Sequence, residues 1–151
     1  MLGERDVRTA LSLSDLGVVL NELGRSAEAE KAYWASAEIL DALLPAADPR
    51  VAYPHSNLAG LLREAGRLSE AEIEARKALA IRRKALGEGH PETAITLGQL
   101  CRILLELGRL PEAEAAARET LAISDGRDRF HAAQARALLG SVFLKQGKAA
   151  A

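Results

Sequence analysis

Apolar side chains recur every three or four residues along most of the chain, and the pattern they form is itself repeated. The stretch from Leu58 to Glu72 reads like the stretch from Leu16 to Glu30 and like that from Leu100 to Glu114, at an offset of 42 residues each time. Each copy carries apolar positions at helical spacing up to a glycine, Gly24, Gly66 or Gly108, and continues into a second helical stretch rich in Ala and Glu. That spacing predicts a helix, a tight turn and an antiparallel helix. The glycine falls just past a helix end, where the backbone turns left-handed and a side chain is costly. Pro111 and a Ser69-x-x-Glu72 capping box are predicted to open the second helices. Small residues hold equivalent places within the helices: Gly17, Ala59, Cys101 and Gly140 in the first, and Ala29, Ala71 and Ala113 in the second. Each is predicted to let two helices approach closely.

The connections repeat as well. Asp48-Pro49 and His90-Pro91 lie 42 residues apart, each setting a capping residue before a proline suited to a first helical turn, and Asp6 falls at the same phase. Leu2-Gly3-Glu4 mirrors Leu86-Gly87-Glu88, so the sequence opens within a connection between repeats. A fourth copy, Leu139 to Lys148, follows the third at an offset of 39 residues. The predicted helix pairs are 6–23 with 26–44, 51–65 with 68–86 and 91–107 with 110–124, followed by a lone helix near 129–146. The repeats run over about 6–47, 48–89, 90–128 and a partial 129–148, together one domain over 1–151. A stacked repeat cannot bury its apolar face alone. A sequence that starts and stops in mid-pattern is therefore expected to be a segment of a longer array or of a multidomain protein.

Composition narrows the function classes. The 20 Lys and Arg balance 21 Asp and Glu, which supplies no concentrated positive field for nucleic acid or an anionic membrane. No apolar run approaches the roughly 18 residues of a membrane span, and no signal-peptide core is evident, so the expected compartment is the cytoplasm. Cys101 is the only cysteine and is expected to be a small buried side chain. His55, His90 and His131 have no His or Cys partner at helical spacing, so no metal site is expected. No phosphate loop follows a strand pattern, and no nucleophile has an activating base. The expectation is a chain without catalytic residues or cofactors.

The helix-pair pattern with Gly-Arg at the turn and Glu-Ala-Glu after it resembles the tetratricopeptide repeat. The 42-residue period, Asn57-Leu58-Ala59, Ala78-Leu79-Ala80-Ile81 and the run Leu86-Gly87-Glu88-Gly89-His90-Pro91 are similar to its kinesin-light-chain branch. The resemblance implies an all-α, right-handed superhelical solenoid of about three and a half repeats, whose first helices line a concave groove for a peptide or helix of a partner protein. On that geometry Ser14, Val18 and Asn21, then Tyr53, Ser56, Asn57, Gly60 and Arg63, then Ile95, Gly98, Gln99 and Arg102 face the groove, with Lys145 further along. The groove set proposed for peptide binding is Asn21, Tyr53, Ser56, Asn57, Arg63, Gln99 and Arg102. Asn57 stands out, because members of the family often bond the peptide backbone through an asparagine there, and an amide both donates and accepts. Asp15 and Gln99 replace it in the other repeats. The resemblance does not extend to a carboxylate clamp, since Ser14, Val18, Ile95 and Gln99 occupy the places where its cations would stand.

Other features are read as structural. Glu22-Arg25, Glu64-Arg67 and Glu106-Arg109 are expected to form local ion pairs at the turns. Pro54, aligned with Ser12 and Thr96, predicts a kink or a late helix start. Trp34 aligns with Arg76 and Arg118, so it either faces outward or covers an array end. Against the binding module stands an alternative, in which exposed array ends mediate homo-oligomers or the repeats form an intramolecular regulatory module of a larger signalling protein. A helical-repeat RNA binder needs repeated basic residues and stacking aromatics, and only 3% of this chain is aromatic.

Overall fold

In the computed structural model, which describes residues 6–126 and 128–147, helices take up nearly all of the chain. They are α1 (Val7–Glu22), α2 (Ser26–Leu43), α3 (Ala52–Glu64), α4 (Leu68–Leu86), α5 (Pro91–Glu106), α6 (Leu110–Ser124) and α7 (Arg129–Lys145), with a single 3-10 turn at Pro49–Val51 before α3. The expected pairs and the lone last helix are present, and no described residue lies in a strand. The expected register of Leu2-Gly3-Glu4 and the last residues from Lys148 onward lie outside the described residues. The chain divides into two units, Met1–Ile81 and Arg82–Ala151.

Local chemistry accounts for the helix boundaries. Asp6 accepts a hydrogen bond from the Thr9 amide at 2.6 Å, Asp48 from Arg50 at 2.9 Å, and His90 Nδ1 from Glu92 at 3.2 Å, so each connection is capped as its sequence predicts. Gly24, Gly66 and Gly108 have φ of 74°, 75° and 73°, the left-handed conformation required after the first helix of each pair. Pro54 gives the late start: α3 opens at Ala52, which leaves Pro54 in the first turn, where a missing N–H removes no helical bond. The capping box at Ser69 does not form. α4 begins at Leu68, so Ser69 is already inside the helix, and Glu72 pairs instead with Arg76 at 2.8 Å.

In the first unit α1 and α2 pack through small residues and one polar link. The Tyr33 ring lies directly on Gly17. Ser36 donates to the Ala10 carbonyl at 2.6 Å, which leaves its oxygen to accept from Ser14 at 2.8 Å. Ala10, Ile39, Leu40, Val51, Ala52, Ala78 and Ile81 form a buried cluster joining α1, α2, the 3-10 turn, α3 and α4. Trp34 is partly exposed on α2, and its indole N–H points to Glu30 at 3.5 Å. The aligned Arg76 and Arg118 make the same i,i+4 contact to Glu72 and Glu114, so Trp34 takes the outward place of an arginine.

In the second unit Cys101 is fully buried between α5 and α6, and its thiol donates to the Ala113 carbonyl at 3.3 Å. Burial pushes the thiol up to about 11. The thiolate is the reactive form, and a rise of that size leaves about a hundredfold less of it at pH 8 than in the unfolded chain. Labelling of Cys101 by an aromatic disulfide is accordingly expected to be slow in buffer and complete at once in denaturant. Equal rates in the two solvents would show that the α5–α6 seam is open.

Candidate functional site

α3 and α5 are buried on most sides but leave one phase of the helix open to solvent, and the more exposed α1 has the same phase open. In α1 that phase carries half-buried Leu11 and exposed Asp15 and Val18. In α3 it carries exposed Tyr53 with half-buried Asn57 and Gly60, and in α5 exposed Ile95 with half-buried Gln99 and Arg102. The spacing is i, i+4, i+7 in every case, which places the three side chains on one helical face. The repeat therefore sets a polar residue at the centre of that face each time: Asp15, Asn57 or Gln99.

Of the other groove residues named from sequence, Asn21 is half-buried at the end of α1 and accepts from the Ser26 hydroxyl at 3.2 Å, across the turn to α2. Arg63 is half-buried in the last turn of α3. Ser56, Ser14 and Gly98 are corrections. All three are buried, because they follow or precede the open phase by one residue and so rotate about 100° into the packing. Ser14 is held there by its bond to Ser36. Lys145 is committed to the fold of the second unit, where it donates to the Leu105 carbonyl near the end of α5 at 3.2 Å.

The arginines at the turns also behave differently from expectation. Arg25 pairs with Glu28, Arg67 with Glu70 and Arg109 with Glu112, each three residues ahead and within 2.7 Å. The forward glutamate is in the first turn of the second helix, where the helix dipole favours a carboxylate, whereas Glu22, Glu64 and Glu106 close a first helix at its negative end. These exposed pairs contribute little individually.

Sequence reasoning missed the main electrostatic feature of the first unit. His55, fully buried on α3, has Nδ1 2.6 Å from Glu74 Oε2 on α4 and Nε2 3.3 Å from Asp41 Oδ1 on α2; Lys77 Nζ reaches the second Asp41 oxygen at 2.7 Å. Burial opposes ionisation of Asp41, but the hydrogen bonds from Lys77 and His55 outweigh it and hold the carboxyl below its ordinary range. The one clue in the sequence was that Leu13 and Leu97 align with His55, which makes a histidine there an oddity. The Asp41–Lys77 link has a counterpart in the second unit with the charges exchanged, Arg83 to Glu119 at 2.5 Å.

The second unit has an open cleft of about 390 Å³ lined by Glu88, Gly89, Glu119, Ala122, Ile123 and Asp125. Its carboxylates are tied to Arg83 and Arg136. No group of three or more His, Cys, Asp or Glu is arranged to hold a metal ion among the described residues. Nor, among them, is any helix long and apolar enough to cross a membrane.

Comparison with known proteins places this geometry. Two family profiles described as Tetratricopeptide repeat match residues 9–49 and 50–125. No curated protein matches the chain. Among solved structures, BtubC (BKLC) from P. vanneervenii is similar at a TM-score of 0.87 and 22% identity, over 94% of this chain and 58% of its own. A putative kinesin light chain of Podosopora anserina with nearly identical TPR-like repeats is similar at 0.83 and 20% identity, over 98% of this chain and 70% of its own. The first TPR of Spaghetti (RPAP3), bound to the HSP90 peptide SRMEEVD, is similar at 0.73 and 18% identity, over 97% of this chain and all of its own. The chain thus spans less than two thirds of the length of the first of these structures.

Proposed function

Because this chain belongs to the tetratricopeptide-repeat family, whose domains are generally protein-interaction modules and typically non-catalytic, we propose that it is a scaffold that binds a segment of a partner polypeptide. The binding surface in this reading is the open face of α1 and α3 in the first unit, with a cytoplasmic setting. The observation that carries it is the recurrence of one solvent-facing phase on α1, α3 and α5, each with a hydrogen-bonding residue at its centre. Asn57 donates to and accepts from the main chain of the bound segment. Tyr53 supplies apolar contact. The solved neighbour in complex with an HSP90 peptide supports this use of the fold. The sparse cations on the open face of this chain favour main-chain recognition over capture of a terminal carboxylate.

Affinity capture with the wild-type chain and a Tyr53→Ala, Asn57→Ala double variant tests the reading, with the melting curve of the variant as a folding control. The expected result is a partner held by the wild type and bound at least about tenfold more weakly by the variant, since each lost hydrogen bond removes about 0.5–1.5 kcal/mol. A folded variant that keeps the same partner at the same affinity removes this face from the function.

A further inference from the structure

The open face of the first unit ends on two carboxylates that no described residue neutralises. On α1 the phase Leu11, Asp15, Val18 runs on to Glu22, and on α3 the phase Tyr53, Asn57, Gly60 runs on to Glu64, so each glutamate closes the face proposed for peptide binding. Both are exposed, and both stand in the last turn of their helix, where the negative end of the dipole opposes a carboxylate. The turn arginines do not relieve them, because Arg25 and Arg67 pair with Glu28 and Glu70. Arg63 precedes Glu64 but is turned about 100° around α3. Among the described residues neither Glu22 nor Glu64 has an ion pair or a hydrogen bond to its side chain. A preceding repeat does not supply the missing cation: Glu64 follows a complete repeat and is unpaired all the same.

A buried phenol points to the same place. Tyr33 of α2 is 3% exposed, its ring lies across Gly17 of α1, and no described residue hydrogen-bonds its hydroxyl. A buried hydroxyl without a partner is costly. Burial first, and then the charges of Glu64 and Glu22, raise the phenol above its ordinary value, so its oxygen sits in the field of both carboxylates. The residues aligned with Tyr33 are Ala75 and Ala117, so the arrangement belongs to the first unit alone. Two carboxylates, two helix C-terminal ends and an unpartnered phenol oxygen thus gather at one end of the open face. All of them are relieved by one kind of group, a cation that donates hydrogen bonds. A metal ion is the poorer fit, since the described residues include no group of three or more ligating side chains.

We infer that Glu22, Glu64 and the Tyr33 hydroxyl form a cation subsite of the open face, which receives a lysine or arginine side chain of the bound segment. The inference rests on the peptide-binding reading above and adds the class of partner, a segment that carries a basic residue beside the stretch held at Asn57. The ammonium or guanidinium donates to the two carboxylates and to the phenol oxygen, and such charge-assisted bonds are stronger than neutral ones. Complementary charge acts chiefly on specificity, so a segment with an acidic residue at this place is rejected.

The test selects random-sequence peptides displayed on phage with the full chain, then measures synthetic copies of the selected peptides by fluorescence anisotropy. The wild type is expected to enrich Lys or Arg at one fixed position of a shared pattern. Those peptides are expected to bind at least about tenfold more weakly to a Glu22→Gln, Glu64→Gln variant, and more weakly also to Tyr33→Phe, which keeps the ring on Gly17. A Glu28→Gln, Glu70→Gln variant loses the same net charge and is expected to bind almost as the wild type does, which separates the subsite from a general attraction of basic peptides. Melting curves check folding, and Glu22→Gln, Glu64→Gln is expected to hold or raise the midpoint because it takes two carboxylates from negative helix ends. Peptides that need Tyr53 and Asn57 but show no basic preference, or that bind the Glu22→Gln, Glu64→Gln variant as tightly as the wild type, overturn the inference and leave the peptide-binding reading intact. Basic peptides that need the two glutamates but ignore Tyr53→Ala, Asn57→Ala keep the subsite and remove that reading. Selection of no peptide removes both.

Discussion

Replacing His55 by alanine is expected to destabilise the first unit by about 1–3 kcal/mol, the usual cost of leaving a buried polar group without its hydrogen-bond partner. Glu74 is buried and 2.6 Å from the ring, so its carboxyl loses its neighbour on α3. The other repeats show how the position is otherwise filled. Leu13 and Leu97 align with His55, and Ala32 and Ala116 align with Glu74, so two repeats have an apolar pair where the second has a polar one. A His55→Leu, Glu74→Ala double variant reproduces the third repeat. It is expected to recover most of the loss, because replacing a whole buried pair by apolar groups is often neutral. Urea unfolding monitored by circular dichroism measures both, and a His55→Ala cost below about 1 kcal/mol would show the contact to be incidental. The cluster also sets an acid limit. Asp41 is held below its ordinary pKa of 3.8 when folded, so its contribution is present above that value and is lost as the pH falls through the folded one.

The helices were legible because their boundaries are local events. Glycine at 24, 66 and 108, the capped prolines at 49 and 91 and the 3.6-residue period each act within a few positions, and all recur at one offset. The late start of α3 followed from Pro54 for the same reason. What sequence missed lies across helices. Ser14 looked like a groove residue until Ser36, 22 positions away, drew it inward. His55 showed no metal partner and was passed over, since its acids are 19 and 14 residues distant. Arg25 and Arg67 were assigned the wrong glutamates because two were at equal spacing, and only the helix dipole distinguishes the ends. Adjacent positions on the first helices differ sharply in burial, with Ser56 buried beside half-buried Asn57 and Gly98 beside Gln99. That difference arises because a helix turns about 100° between neighbours.

Repeats also let the chain test its own substitutions, and the Gly17–Tyr33 contact is the sharpest case. A Cβ added at Gly17 would lie 2.5, 2.7 and 3.0 Å from ring atoms of Tyr33, which is itself buried. Gly17→Ala gains up to about 1 kcal/mol of helix propensity. Against this, forcing a methyl into a packed ring costs about 1–3 kcal/mol, so net destabilisation is expected. The aligned pairs are Ala59 with Ala75 and Cys101 with Ala117, all fully buried. Where the first helix has a side chain at this point, the second has only alanine, and the aromatic ring occurs only opposite glycine. Tyr33→Ala alone is expected to cost about 3–5 kcal/mol through the cavity it leaves. In that background the sign at position 17 reverses: Gly17→Ala now meets no ring, keeps its propensity gain and rebuilds the Ala59–Ala75 pair. A double-mutant cycle in urea therefore shows one substitution harmful beside tyrosine and helpful beside alanine. If Gly17→Ala has the same effect in both backgrounds, the ring moves aside freely, and the small residue at this position is not set by the bulk across the seam.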